Sequence, residues 1–149
     1  MTDGKSHIPR PKADWAFCLP RFYPCKLNQN RIEIAEHLID LAQKEGNLTT
    51  YEETGRIIGL TPNNRVLFTH LGALSWVTHR NENAFLSVLV ARKDEKIPGD
   101  GFFKLVAGLR EIPYKTSTDD EVFIKELKRV CQFAKEGKFD FMLTGETLK

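Results

Sequence analysis

The 149-residue sequence has few cysteines, no long apolar run and no strong excess of charge of either sign. The 3 cysteines, Cys18, Cys25 and Cys131, are an odd and sparse set, so a disulfide framework is not expected. The six residues between Cys18 and Cys25 match no common zinc spacing. Because no apolar run approaches the ~20 residues that cross a bilayer, and the first residues lack the apolar centre of a signal peptide, we expect a cytoplasmic protein without membrane contact.

The charge is nearly balanced, with 22 Lys and Arg against 20 Asp and Glu and a net charge of +2. A strongly basic nucleic-acid-binding domain usually has a pI above ~9, whereas this sequence has a pI near 8.4. The balance permits a face that contacts phosphates but does not require one. No P-loop, dinucleotide fingerprint, H-E-x-x-H or G-x-S-x-G motif occurs, so the sequence predicts no cofactor, no metal and no catalytic residue.

The most informative stretch is residues 48–74, LTTYEETGRIIGLTPNNRVLFTHLGAL, which predicts two helices joined by a tight turn. Thr50 and Glu53 form a T-x-x-E capping box at the start of the first helix. Gly59 is placed to end that helix in a left-handed conformation. Thr61 followed by Pro62 predicts the start of the second helix. A short helix, a glycine-containing turn and a longer helix indicate a helix-turn-helix.

The segments around this pair predict one domain. Residues 1–30, rich in proline and aromatics, are interpreted as an extended arm that packs on the domain of residues 31–149. Apolar spacing predicts a helix over residues 31–45 and another over 116–137. The run AFLSVLVARK predicts a buried strand, and the turn-rich loop KDEKIPGDG followed by two phenylalanines resembles a wing. The predicted class is therefore α+β, with a winged helix-turn-helix-like core, an N-terminal arm and a C-terminal helix.

Residues 31–103 resemble the C-terminal DNA-binding domain of the O6-alkylguanine-DNA alkyltransferases and the alkyltransferase-like proteins. The family's [ST]-Y-x-x-L-A-x-x-x-G, A-R-A-V-G, P-C-H-R-V and D-G-K-x-G-G-F motifs correspond here to TYEETGRIIG, NNRVLFTHLGAL, LSVLVARKDEK and GDGFF. In that family the tyrosine turns the target nucleotide outward and the arginine enters the duplex in its place. The resemblance implies these roles for Tyr51 and Arg65.

One departure from the family changes the expected function. The register set by Arg92 and Asp94 puts Ser87 at the position of the family's alkyl-accepting cysteine, and the motif histidine is absent. A serine without an adjacent base is too weak a nucleophile to accept an alkyl group. We therefore expect non-catalytic binding of duplex DNA rather than alkyl transfer.

The predicted DNA contacts come from the helix pair and the loop after the strand. The helix that begins near Pro62 is expected to face the groove, while a helix N-terminus offers backbone N–H groups to phosphate. The predicted DNA-binding residues are Thr50, Tyr51, Arg56, Arg65, His70, Ser87, Arg92, Lys93 and Lys96.

Two other classes of function remain open at this point. The near-neutral charge, the aromatic arm and the apolar tail of residues 139–143 are compatible with a protein-interaction module, such as an inhibitor, an immunity protein or a phage-type factor. A small metal-dependent nuclease is the third class, because such enzymes combine carboxylates and a lysine on a hairpin. Its candidate residues are Asp94, Glu95, Lys96 and Asp100, together with Glu52 and Glu53.

Overall fold

A computed structural model of the protein describes residues 28–44, 48–61, 64–112 and 119–144. These residues form a mainly helical structure with a two-stranded parallel sheet, which confirms the predicted α+β class. The helices and strands are α1 (Gln29–Gln43), β1 (Thr49–Thr50), α2 (Tyr51–Ile57), α3 (Arg65–Glu82), β2 (Val90–Ala91), α4 (Asp100–Arg110) and α5 (Asp119–Lys135). The 3-10 helices Leu86–Leu89 and Asp140–Thr144 precede β2 and follow α5.

Most of the predicted arm lies outside the described residues, and its last two positions belong to α1. Asn28 is the N-cap of that helix, and its side chain accepts a hydrogen bond from the Arg31 N–H at 3.0 Å. The first three residues of the helix predicted over 116–137 also lie outside the described residues. None of the helices in the described ranges combines the length and the apolar character needed to cross a bilayer.

The apolar stripe of α1 is buried as predicted, because the helix packs against α3, α5 and both 3-10 helices. At its C-terminal end the Gln43 side chain donates to the Ala134 carbonyl of α5 at 3.1 Å. The buried residues of α1 are Ile34, Ala35, Leu38, Ile39 and Ala42.

All eight residues of 84–91, which we call the buried segment, are buried, and none is more than 8% exposed. Buried backbone N–H and C=O groups need hydrogen-bond partners, and this segment finds some of them in a short sheet pairing and in backbone bonds of its 3-10 helix, such as Val88 N–H to the Phe85 carbonyl at 3.1 Å. Two hydroxyls on the inner side of α3 supply further partners. The Thr78 hydroxyl accepts from the Leu86 N–H at 3.2 Å and donates to the Ala84 carbonyl at 2.8 Å. The Ser75 hydroxyl accepts from the Ser87 N–H at 3.0 Å.

The structure corrects the predicted strand and wing. Most of the predicted strand is the 3-10 helix Leu86–Leu89, and only Val90–Ala91 pairs as β2. Phe102 and Phe103, which were expected to follow the wing loop, lie in the first turn of α4. The apolar tail forms the 3-10 helix Asp140–Thr144, with Met142 buried. A short apolar run enclosed by helices shows no period that separates a strand from a helical turn.

The turn between α2 and α3 depends on two glycines. Gly59 adopts φ +75°, which confirms its predicted role after the end of α2. Gly55 lies inside α2 where a Cβ atom would be 2.6 Å from the Leu60 carbonyl oxygen, so the chain can fold back only at a glycine. The predicted start of α3 is wrong. Asn64, not Thr61, is its N-cap and accepts from the Val66 N–H at 2.8 Å.

A buried ion pair joins the C-terminal ends of α3 and α4 to the middle of α5. Arg110 of α4 binds Glu126 of α5 in a two-pronged contact of 2.7 and 3.0 Å. The same guanidinium donates to the side-chain and backbone oxygens of Asn83, which caps α3 in the left-handed conformation. Arg129 donates to the same backbone oxygen at 3.1 Å. Glu126 is only 2% exposed, so this network fixes α4 and α5 against the end of α3.

Replacing Thr78 by valine should lower the free energy of unfolding by about 3 kcal/mol, because it leaves the Leu86 N–H and the Ala84 carbonyl buried without this partner. Urea denaturation followed by circular dichroism measures the change. Thr69→Val is the matched control, since the Thr69 hydroxyl donates only along α3 to the Arg65 carbonyl at a solvent-exposed position. An equal loss in both variants would contradict the role given to Thr78.

Replacing Gly55 by alanine should destabilise the protein by about 2 kcal/mol through overpacking against the Leu60 backbone. Gly59→Asn is the comparison, because nothing lies within 4 Å of a Cβ atom at Gly59 and asparagine tolerates a left-handed conformation. Its expected cost is below about 1 kcal/mol. Thermal unfolding should therefore show a larger drop in Tm for Gly55→Ala than for Gly59→Asn. A larger drop for Gly59→Asn would contradict this turn geometry.

Candidate nucleic-acid interface

The start of α2 is fixed by the predicted cap. The Thr50 hydroxyl accepts from the Glu53 N–H at 3.1 Å, which confirms Thr50 as the N-cap. The Glu53 carboxylate accepts from the hydroxyl of Thr49 at 2.9 Å instead of closing the box on Thr50. His37 Nε2 of α1 lies 3.4 Å from the same hydroxyl oxygen. Thr49 is buried, so α1 supports the cap from the inside.

Tyr51, the first residue of α2, is held on two sides. Its ring makes an edge-to-face contact with Phe68 of α3, with 5.6 Å between centroids and 80° between planes. Its phenolic oxygen accepts from the Gly99 N–H at 2.9 Å, at the start of α4. The side chain is half-buried. The structure therefore joins α2, α3 and α4 at this tyrosine.

Gly99 was not identified from the sequence, although it is where the tyrosine and an arginine converge. A Cβ atom at this position would lie 3.2 Å from the Tyr51 phenolic oxygen and 3.6 Å from Arg92 Nε. Its φ of −72° is open to any residue, so the glycine is required by space and not by backbone conformation. The Pro-Gly pair in the sequence indicated only a turn.

The loop of residues 92–98, here called the basic loop, carries the predicted cations Arg92, Lys93 and Lys96 at the surface. The Arg92 N–H donates to the Ile97 carbonyl at 2.8 Å, and the Lys96 N–H donates to the Arg92 carbonyl at 2.9 Å. Lys96 adopts φ +60° within this turn. The Arg92 guanidinium pairs with Glu95 at 2.7 Å. The loop is therefore closed by its own hydrogen bonds.

Two further predicted arginines lie on the helix pair. Arg65 is the first residue of α3 and is exposed. Phe68 follows it by three positions, which on a helix is the same face, so Arg65 lies one turn from the ring that contacts Tyr51. Arg56 of α2 is exposed and pairs with Glu52 at 3.2 Å. The exposed cations therefore lie on α2, α3 and the basic loop, the three elements that Tyr51 or its contacts connect.

Two of the predicted DNA-binding residues are wrong, because their side chains point into the protein. His70 is 6% exposed, and its Nδ1 accepts from Arg31 Nε of α1 at 2.9 Å. Burial, and then the charge of Arg31, lowers the pKa of His70 below 6.5. Ser87 is 8% exposed and its hydroxyl oxygen accepts from Ser75 at 2.6 Å. Neither side chain reaches the surface that Tyr51 and the arginines share.

The carboxylates proposed for a nuclease are distributed over separate contacts. Glu52 pairs with Arg56, Glu95 pairs with Arg92, and Asp100 pairs with Lys104 at 3.2 Å. Across the part of the chain that the structure describes, no three His, Cys, Asp or Glu residues are grouped so that they could hold a metal ion. This geometry gives no support to a metal-dependent nuclease.

Comparison of the chain with protein-family models, with curated proteins and with solved structures finds no match.

The lowered pKa of His70 predicts a pH dependence of stability. The folded state binds a proton less readily than the unfolded state, so the free energy of unfolding should fall as the pH drops below 6.5. His79 contributes in the same direction, because burial, and then Arg110 and Arg80, lowers its pKa to about 4. His70→Gln should reduce the fall in stability between pH 7 and 5, since glutamine can accept from Arg31 without titrating. Urea denaturation at several pH values tests this, and an unchanged slope would contradict it.

Proposed function

We propose that the protein binds duplex DNA without catalysis, using the α2–turn–α3 pair as a helix-turn-helix and the basic loop in the place of a wing. The observation that carries this proposal is the convergence of Tyr51, Gly99 and Arg92 beside α3. This convergence connects Tyr51, which resembles the family's nucleotide-turning tyrosine, to the basic loop, which holds most of the cations of the proposed face. The resemblance to alkyltransferase-like proteins is part of this proposal.

The arginines of this face are available for phosphate. The ion pairs of Arg56 with Glu52 and of Arg92 with Glu95 are formed by side chains that are about half exposed or more. Exposed pairs of this kind contribute only ~0–1 kcal/mol, so exchanging a carboxylate for a phosphate costs little. A bidentate arginine–phosphate contact is stronger, because its geometry matches two oxygens. Phosphate contacts of this kind position a protein on DNA without reading its sequence.

The environment of Ser87 supports a role without chemistry. Its hydroxyl accepts from the Ser75 hydroxyl, and its N–H donates to the same Ser75 oxygen. Both polar groups of Ser87 therefore hold the buried segment against α3. A nucleophilic serine needs an adjacent general base and an approach for the substrate. The sparse cysteines favour a reducing compartment such as the cytoplasm.

A protein-interaction surface is the second candidate function, and it has one supporting observation. Ile57 at the end of α2 is 37% exposed and Val66 at the start of α3 is 50% exposed, so two large apolar side chains flank the turn. A protein partner would bury both. If the protein shows no affinity for DNA and forms a complex with a protein partner, Val66→Asp should abolish that complex.

The DNA-binding proposal predicts a measurable affinity for a labelled 20–30 base-pair duplex at low salt. Arg65→Ala and Arg92→Ala should each weaken binding, and each lost phosphate contact should flatten the slope of log K against log salt by about one. Fluorescence anisotropy over a series of salt concentrations gives both quantities. Lys128→Ala on α5 is the matched control, because that helix packs against α1 and the buried segment and not on the proposed face.

No binding by the unmodified protein at low salt would exclude the proposal. The same conclusion would follow if Arg65→Ala and Lys128→Ala changed the affinity equally.

A further inference from the structure

The three consecutive residues at the start of α2 hold both ends of the basic loop. Thr49 and Thr50 pair in parallel with Val90 and Ala91, the two residues just before the loop. The phenolic oxygen of Tyr51 accepts from the N–H of Gly99, the residue just after it. The incoming and outgoing ends of the loop are therefore attached to one short stretch of backbone and side chain.

The two attachments differ in whether a single side-chain substitution can remove them. The incoming end is a backbone pairing inside the protein, next to the buried segment, and no single side chain can release it. On the outgoing side Pro98 is buried, and the hydrogen bond from the Gly99 N–H to the Tyr51 hydroxyl, which a side-chain substitution can remove, joins the end of the loop to α2. The loop keeps its own shape through the Arg92–Ile97 and Lys96–Arg92 backbone bonds, so release of its outgoing end would move it as a unit.

Gly99 makes the outgoing attachment possible. A Cβ atom there would press on the phenolic oxygen at 3.2 Å, closer than nearly all ordinary contacts of a Cβ atom. The tyrosine ring cannot yield easily in the other direction, because Phe68 packs against it. Any larger residue at this position would thus displace the hydroxyl, the Arg92 guanidinium or the start of α4.

We propose that the Tyr51 hydroxyl and Gly99 are positioning groups that set the placement of the basic loop relative to the helix-turn-helix. In the binding of DNA, which rests on the proposed function, they hold Arg92, Lys93 and Lys96 in register with Arg65. Tyr51 thus acts through its hydroxyl on the loop, in addition to any contact of its ring with a nucleotide.

The coupling is tested first in the protein without DNA. Tyr51→Phe removes only the hydroxyl and keeps the ring contact with Phe68. Because a hydrogen bond contributes about 1 kcal/mol net, the Gly99 amide should exchange with deuterium roughly five- to tenfold faster in this variant, as measured by NMR. Thr144→Val is the control, since its hydroxyl bonds to Phe141 in the C-terminal 3-10 helix. Exchange at Gly99 within twofold of the unmodified protein would overturn the coupling.

The consequence for DNA is tested by a readout that a general loss of stability would not give. In the unmodified protein, Lys93→Ala combined with Lys96→Ala should flatten the salt slope by about two. In the Tyr51→Phe background the slope should already be flatter, and the same pair of substitutions should change it by less than about one. Full additivity of the three substitutions would refute the positioning role.

A second variant tests the same contact from the side of Gly99. Gly99→Ala should accelerate amide exchange in the basic loop and flatten the salt slope in the same way, and it should do less in the Tyr51→Phe background, where the crowded oxygen is absent. Equal effects of Gly99→Ala in both backgrounds would contradict the proposed contact. Faster exchange without any DNA binding would retain the coupling and exclude only its role in DNA binding.

Discussion

The complete burial of residues 84–91 is the constraint on which the other elements depend. A segment without solvent on any side must satisfy its backbone groups inside the protein, and a two-residue parallel pairing satisfies only a few. Backbone bonds of the 3-10 helix satisfy others, and the hydroxyls of Ser75 and Thr78 bond to further groups, which explains why polar residues lie on the inner face of α3. Because α1 and α5 cover the same segment, the position of β2, and with it the start of the basic loop, follows from the core.

This arrangement lets the core fix the relative positions of the elements that form the proposed interface. β2 aligns β1, β1 runs directly into the cap of α2, and the first residue of that helix reaches across to Gly99. A helix pair and a loop that meet only through long flexible side chains would lose entropy when DNA ordered them. Here backbone pairing and one half-buried tyrosine fix their geometry before any ligand binds.

The sequence predicted the local signals and missed the long-range ones. Thr50 and Gly59 were identified because capping and left-handed turns are encoded within four residues. α4 was missed, although Phe102, Val106 and Leu109 have helical spacing, because the preceding glycines suggested a hairpin. His70 was placed on the wrong side of α3, since a histidine among apolar residues gives no indication of Arg31, 39 positions earlier. Gly99 was missed because its role depends on a tyrosine 48 positions away.

The charge of the proposed face limits how it could bind DNA. Its cations, Arg56, Arg65, Arg92, Lys93 and Lys96, are accompanied by Glu52, Glu53, Asp94 and Glu95, so the face lacks a large net positive charge. Long-range attraction to DNA would consequently be weak, and affinity would have to come from arginines placed at the spacing of successive phosphates. Placement of that kind is sensitive to small displacements of the loop that carries the arginines. A face with balanced charge therefore depends more on a fixed loop than a strongly basic face would. The hydrogen bond between Tyr51 and Gly99 matters for this reason, because it helps to fix the basic loop.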